Sequence, residues 1–182
     1  MRIVLNVGAG YVSISHLPYS EIVFNPANEW QEIRVDVDPK TKADIIADIT
    51  DMSNIRDACV DAVFSSHTLE HIYTSQVPLA LAEFYRVIKP GGFVAMYLPD
   101  ISKVAKAVLD GKLDDTLYVS DSGPIRAVDI IYGMEGAIYE CPPMMHKTAF
   151  TSASITRKLQ EAGFVNVEIT EDMWDIWVMA ER

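Results

Sequence analysis

Cysteine is scarce in this chain: Cys59 and Cys141 are the only two among 182 residues, and they form no C-x-x-C pair. Neither a disulfide framework nor a zinc ribbon organises it. No apolar run approaches the roughly 18 residues that span a bilayer, and no basic-then-apolar leader precedes the first strand pattern. A cytoplasmic protein with no membrane association is expected. Positive charge is also short: 15 Lys and Arg stand against 26 Asp and Glu, a formal net charge of −11. A nucleic acid is therefore not the expected main partner, because phosphate binding needs a basic footprint. Repeats, low-complexity stretches and long charge blocks are all missing. What is present, 49% hydrophobic and 23% charged residues over 182 positions, suits one globular α/β domain with a substantial core, and is too short for two.

The chain is organised around Leu5-Asn6-Val7-Gly8-Ala9-Gly10. The preceding Arg2-Ile3-Val4-Leu5 has the continuous apolar character of a buried parallel strand. Two glycines one residue apart then allow a sharp turn and the close approach of a ligand. Ile33–Pro39 reads as a second strand carrying Asp36 and Val37 at its tip, with Asp38 behind them. A glycine turn after strand one and an acid at the tip of strand two is how α/β folds hold a nucleoside, the acid accepting from ribose hydroxyls. Taken alone, Asp36 reads equally as a solvated loop acid. A third strand, Ala43–Ile49, carries Asp48 and Ile49 at its end, and a fourth, Val60–Ser66, ends on Ser65-Ser66. A helix then leads through Lys89-Pro90-Gly91-Gly92 into a fifth strand, Phe93–Leu98.

Between Tyr11 and Gln31 the breakers Pro18, Asn25, Pro26 and Asn28 leave a loop with at most a short helical turn. No helix N-terminus therefore stands behind the glycines to hold a pyrophosphate. Asp51–Cys59 reads as one or two helical turns, and Ser75 as the cap of a helix with Val77, Leu81, Phe84 and Ile88 on one face. Asp100 caps a second helix lined by Ile101, Val104, Val108 and Leu109. Asp114–Gly123 reads as turns, Pro124 as the first turn of a helix carrying Ile125, Val128 and Tyr132, and Tyr139–Lys147 as an irregular loop. Thr151 caps a last helix with Ile155 and Leu159 inward, and Val165–Ala180 alternates as a closing hairpin.

This ordered set resembles the class I S-adenosylmethionine-dependent methyltransferases, especially small type 11-like members with an S-x-x-L-E-H segment (Ser66–His71) and an R-V-L-K-P-G-G turn (Arg86–Gly92). The resemblance implies a Rossmann-like fold, a mostly parallel seven-stranded sheet with a C-terminal antiparallel hairpin. It implies a single domain over 1–182, with 101–146 as a substrate-side insertion or lid. The implied cofactor is S-adenosylmethionine, held by Val7, Gly8, Ala9, Gly10, Asp36, Val37, Asp48, Ile49, Ser65 and Ser66. Asp48 would contact the adenine amino group; its plain alternative is a helix cap. The implied activity is O- or N-methylation of a small-molecule acceptor. Asn6 stands where the family usually has an acid. The chain opens at strand one, so 101–146 or a second subunit, as in a homodimer, would cover the acceptor.

His67-Thr68-Leu69-Glu70-His71 also fits the H-x-x-E-H pattern of inverted zinc peptidases. A third ligand would have to come from a distant helix, and the motif follows a strand in a small nucleoside-binding scaffold, so no metal is expected. In the methyltransferase reading His71, or His67, faces the cleft as a base; otherwise it packs at the strand-to-helix turn. His146, ahead of Phe150-Thr151, would reach the pocket mouth or order its loop. Two other functions fit the composition. A nicotinamide-dependent oxidoreductase would need a helix behind Gly10 and a Tyr-x-x-x-Lys pair, which are missing. A non-catalytic cofactor-binding or assembly module of the same fold fits the Asn6 departure.

Overall fold

Burial deepens along the first strand, β1 (Arg2–Val7), from exposed Arg2 to fully buried Val4–Val7. That gradient marks a strand entering the middle of a sheet covered on both faces. The computed structural model describes residues 1–17, 24, 29–120 and 122–182. The breakers Pro18, Asn25, Pro26 and Asn28 lie outside the described residues. The sheet runs on through β2 (Trp30–Asp36), β3 (Ile45–Ile46), β4 (Val60–Ser66), β5 (Ile88–Pro99), β8 (Val165–Glu171) and β9 (Asp175–Glu181) in the order β3-β2-β1-β4-β5-β9-β8. The first five are parallel, and β9 runs antiparallel to both β5 and β8. The expected fold class is therefore what the chain adopts. Val7 lies opposite Val35 on one side and Ser65 on the other, so the glycine turn, Asp36 and Ser66 emerge at one edge.

The pleat sends alternate residues into two cores. Leu5, Val7, Val63, Met96 and Val178 pack beneath α1 (Val77–Val87) and α5 (Ser152–Glu161), meeting Leu81, Phe84, Ile155 and Leu159. Their neighbours Val4, Phe64, Ala95, Tyr97 and Trp177 face the other way, against Ile14 and Phe24. Thr151 caps α5, its hydroxyl accepting from Ser154 N at 3.2 Å. Asp100 caps α2 (Ile101–Leu109), accepting from Ser102 N at 2.9 Å.

Several local expectations are corrected. Asp51–Cys59 forms turns rather than a helix, because side chains satisfy its backbone: Arg86 donates to Met52 O and Ile55 O, and Glu83 accepts from Met52 N. Ser75 does not cap α1. Gln76 stands at that position with helical backbone, and its amide oxygen accepts from Tyr73 N. Ile88 belongs to β5, and the third strand shortens to two residues. Leu109 is exposed while Ala107 is buried. Asp114–Gly123 and Pro124 fall largely in a hairpin, β6 (Thr116–Ser120) and β7 (Gly123–Arg126). A two-stranded ribbon tolerates Pro124 because it has an open edge. Two short helices, α3 (Ala127–Tyr132) and α4 (Glu135–Glu140), follow.

The segment from Ile101 to Met134 carries its own small core of Val104, Ile125, Ala127 and Ile130. It leaves and rejoins the sheet at one place: Asp100 and Phe150 form a parallel bridge, and Ile101 N donates to Phe150 O at 3.0 Å. Among the described residues no helix is long and apolar enough to cross a membrane.

Candidate active site

In an open α/β sheet, ligands bind beyond the carboxyl ends of the strands where the strand order reverses. Here that point lies between β1 and β4. Gly8 sits in it with φ +67°, and a methyl group added there would lie 2.3 Å from Thr68 Cγ2. The amides of Gly8 and Ala9 both donate to Val35 O, at 2.9 and 3.2 Å. Gly10, at φ +54°, faces open space: an added methyl would meet nothing within 4 Å. Its amide donates to Asp36 Oδ2 at 2.8 Å, while Asp36 Oδ1 accepts from Asp38 N at 2.8 Å. Arg34 closes the far side, donating to Gly10 O and Thr41 O.

Glu32, which the sequence does not single out, holds the next stretch. Its carboxylate accepts from Asn6 Nδ2 at 2.8 Å, Ser13 Oγ at 2.5 Å and Ile14 N at 3.0 Å. An acid is thus present beside Asn6 after all, supplied by the neighbouring strand. Its strand also carries Gln31, Arg34 and Asp36, so nothing in the sequence marks Glu32 out.

These groups suit a nucleoside. Asp36 is 9% exposed, and with two amides bound its carboxylate keeps acceptor capacity for two hydroxyls. Val37, directly after it, is 62% exposed, an apolar face at the strand tip. On β4, Ser65 Oγ is buried with no hydrogen-bond partner among the described residues, a state that ordinarily costs free energy. Ile49 is buried. Asp48 caps no helix; its Oδ1 accepts from Thr50 N and Thr50 Oγ1, closing a turn.

Beyond Ser66 the chain turns through His67, at φ +47°, into a 3-10 turn, Leu69–His71. Glu70 is 1% exposed. Its Oε1 lies 3.3 Å from His67 Nδ1, and Oε2 has no hydrogen-bond partner among the described residues. His67 Nε2 lies 3.9 Å from Asp175 Oδ1. Desolvation pulls the His67 imidazole down, but Glu70 and then Asp175 outweigh it and hold the ring above its ordinary pKa. Burial likewise pushes Glu70 up, and His67 reverses that, leaving it below the usual carboxylate range. Asp175 itself is pushed up by burial. Tyr118 is pushed up to about 12 by burial and by Asp175.

His71 points elsewhere. Its ring meets His146 edge to face at 5.0 Å. Burial lowers its pKa most, Glu70 pulls it back up in part, and His146 adds a smaller downward push. The meeting is enforced by backbone: Lys147 N and Thr148 N both donate to Glu70 O, and Lys147 Nζ donates to His71 O. The pairing is therefore His71 with His146, while His67 pairs with Glu70 and Asp175. No sequence spacing could have shown the first, since the two histidines come from distant segments.

Comparison with known proteins agrees with this geometry. The family described as "Methyltransferase domain" matches residues 5–96. No curated protein matches the chain. Among solved structures, a SAM-dependent methyltransferase from Archaeoglobus fulgidus superposes with TM-score 0.63 at 14% identity, over 100% of this chain and 86% of that one. One from Methanosarcina mazei gives 0.64 at 12%, over 100% and 92%. The apo form of the S-adenosylmethionine-dependent methyltransferase SibL gives 0.63 at 20%, this chain spanning 50% of it. The glycine turn, the acid at the tip of β2, the reversed strand order and the family match converge: the chain belongs to the class I S-adenosylmethionine-dependent methyltransferases, and S-adenosylmethionine is its cofactor.

Proposed function

We propose that the chain methylates an oxygen or nitrogen of a small-molecule acceptor, with His67 taking the acceptor's proton. S-adenosylmethionine, when bound, supplies a methyl carbon activated by a sulfonium leaving group. The chain's part is to orient the two reactants and keep water away. Val7–Gly10, Asp36, Val37, Asp48, Ile49, Ser65 and Ser66 hold the cofactor in this reading. Asp36 accepts from the ribose, Asp48 from the adenine amino group, and Val37 offers an apolar face.

The observation that carries the proposal is the placement of His67 directly after the β4 tip, between the carboxylates of Glu70 and Asp175. Glu70 and Asp175 orient the ring and raise its basicity, which suits general-base work on a hydroxyl or ammonium. His71, also a candidate, has its pKa lowered chiefly by burial and faces His146; in this reading the pair lies on the acceptor side. The segment 101–146 then serves as the cover, with Tyr132, Met144 and Met145 exposed on it.

A screen of labelled methyl transfer over several acceptor classes tests the reading. His67→Ala should lower turnover by about 10²–10⁴-fold while S-adenosylhomocysteine affinity stays unchanged. Full turnover in His67→Ala overturns the assignment of the base. Cofactor binding without transfer to any acceptor favours the non-catalytic module.

A further inference from the structure

We propose that Glu70, His71 and His146 form a binding site for a divalent transition-metal cation such as Zn²⁺. One ligand atom from each of the three lies within 4.8 Å of the others. Two imidazoles and a carboxylate form the borderline donor set that suits Zn²⁺, Co²⁺ or Ni²⁺ rather than Mg²⁺ or Ca²⁺. Three protein ligands leave a coordination position open for water or a bound molecule.

Two further observations point to a ligand. Glu70 is 1% exposed, and its Oε2 has no hydrogen-bond partner among the described residues. A buried carboxylate left without partners is costly, and a coordinated cation is one of the few things that offsets the cost. His67 meets only the other oxygen, Oε1, at 3.3 Å.

Each of the two histidines turns its Nδ1 to a backbone carbonyl, an arrangement common among metal-ligating histidines. His146 Nδ1 lies 2.7 Å from Ile130 O, and His71 Nδ1 lies 3.4 Å from Met145 O. A carbonyl only accepts, so the proton sits on Nδ1 in each ring and the Nε2 lone pair is left for coordination. Backbone carbonyls in this outer role fix ring orientation at zinc sites. The scaffold is rigid as well, since the amides of Lys147 and Thr148 tie the His146 segment to Glu70 O. A donor separation of up to 4.8 Å exceeds that in a closed tetrahedral site, so small side-chain movements would complete it.

The inference stands apart from the reading of the cofactor but shares Glu70 with that of His67, and its test needs no acceptor. Chelator-stripped full-length protein is titrated with Zn²⁺ by calorimetry, and with Co²⁺ by visible absorption, which reports a tetrahedral site directly. One equivalent should bind. His71→Ala and His146→Ala should each weaken Zn²⁺ by at least about 100-fold, the upper end of the loss seen when only an outer-shell partner is removed. His67→Ala should bind Zn²⁺ as well as the parent or better, because His67 competes for Glu70. His16→Ala, altering a histidine remote from the site, should change nothing. Glu70→Gln should also weaken binding, but a failure of that buried variant to fold does not weaken the test, which His146→Ala carries. The proposal is overturned if the parent binds no more Zn²⁺ than His71→Ala/His146→Ala. It is overturned equally if His67→Ala abolishes binding while His146→Ala leaves it intact, since that result assigns the metal to the H-x-x-E-H pair.

Discussion

Gly8 and Gly10 are two residues apart, both with positive φ, and a methyl group on each should do opposite things. At Gly8 the new Cβ would lie 2.3 Å from Thr68 Cγ2 and 2.4 Å from Thr68 Oγ1. Thr68 is buried, and its hydroxyl is held by Ser66 O at 3.0 Å and Val7 O at 3.3 Å, so it cannot swing away cheaply. The left-handed backbone costs roughly 1–2 kcal/mol and forced overpacking roughly 1–3. Gly8→Ala should therefore lose about 2–5 kcal/mol, a large share of the 5–15 kcal/mol typical of a domain. At Gly10 only the backbone cost of about 1–2 kcal/mol applies, because nothing lies within 4 Å. In the proposed reading of the site its methyl instead projects into the space the cofactor takes. Urea unfolding and S-adenosylhomocysteine titration of both variants separate the effects: stability falls chiefly in Gly8→Ala, and affinity per folded molecule chiefly in Gly10→Ala. Thr68→Ala should recover part of the Gly8→Ala loss. Equal destabilisation of the two variants, or a Gly8→Ala midpoint unchanged from the parent, would refute the packing argument.

Asp36→Asn should weaken S-adenosylhomocysteine by about 1–3 kcal/mol, a charge-assisted pair of bonds reduced to a neutral one, as calorimetry would show. The Glu83 carboxylate is held below its ordinary value of 4.5 chiefly by its bond to Arg86. The unfolded chain therefore takes up that proton first as pH falls. The stabilisation is complete above about pH 4.5 and is lost as pH drops through the folded value. Glu83→Gln should flatten that part of the acid limb in urea melts, while an unchanged limb would assign it to other carboxylates.

The sheet was legible where burial made the pattern simple. Val60–Ser66 and Arg2–Val7 are dominated by apolar residues because both faces are covered, and a glycine turn or polar tip ends each. Thr116–Arg126 was not legible: its strands pack on a small local core with solvent behind, and Gly123 reads as a turn residue and Pro124 as a helix start when both are ribbon residues. Ser75 failed as a cap because the helix begins one residue later, behind Gln76, whose side chain bonds back to Tyr73 N and makes no cap. The histidine cluster was half legible. His67, Glu70 and His71 are four residues from end to end, a spacing that puts two histidines on one face only in an α-helix. The left-handed His67 and the 3-10 turn after it send the rings to different partners, so the companion of His71 had to come from far along the chain.

The bridge between Asp100 and Phe150 means that the excursion between them has a closed neck. Everything on the cofactor side of that neck is built without it: the glycine turn, Asp36 and the β4 tip all precede residue 100. Loop closure is weakly length-dependent, about 0.6 kcal/mol for each doubling, so segments of other lengths and sequences can be carried on the same neck. On the proposed reading of 101–146 as the cover, grafting that segment between relatives should exchange acceptor preference while S-adenosylhomocysteine affinity stays as it is.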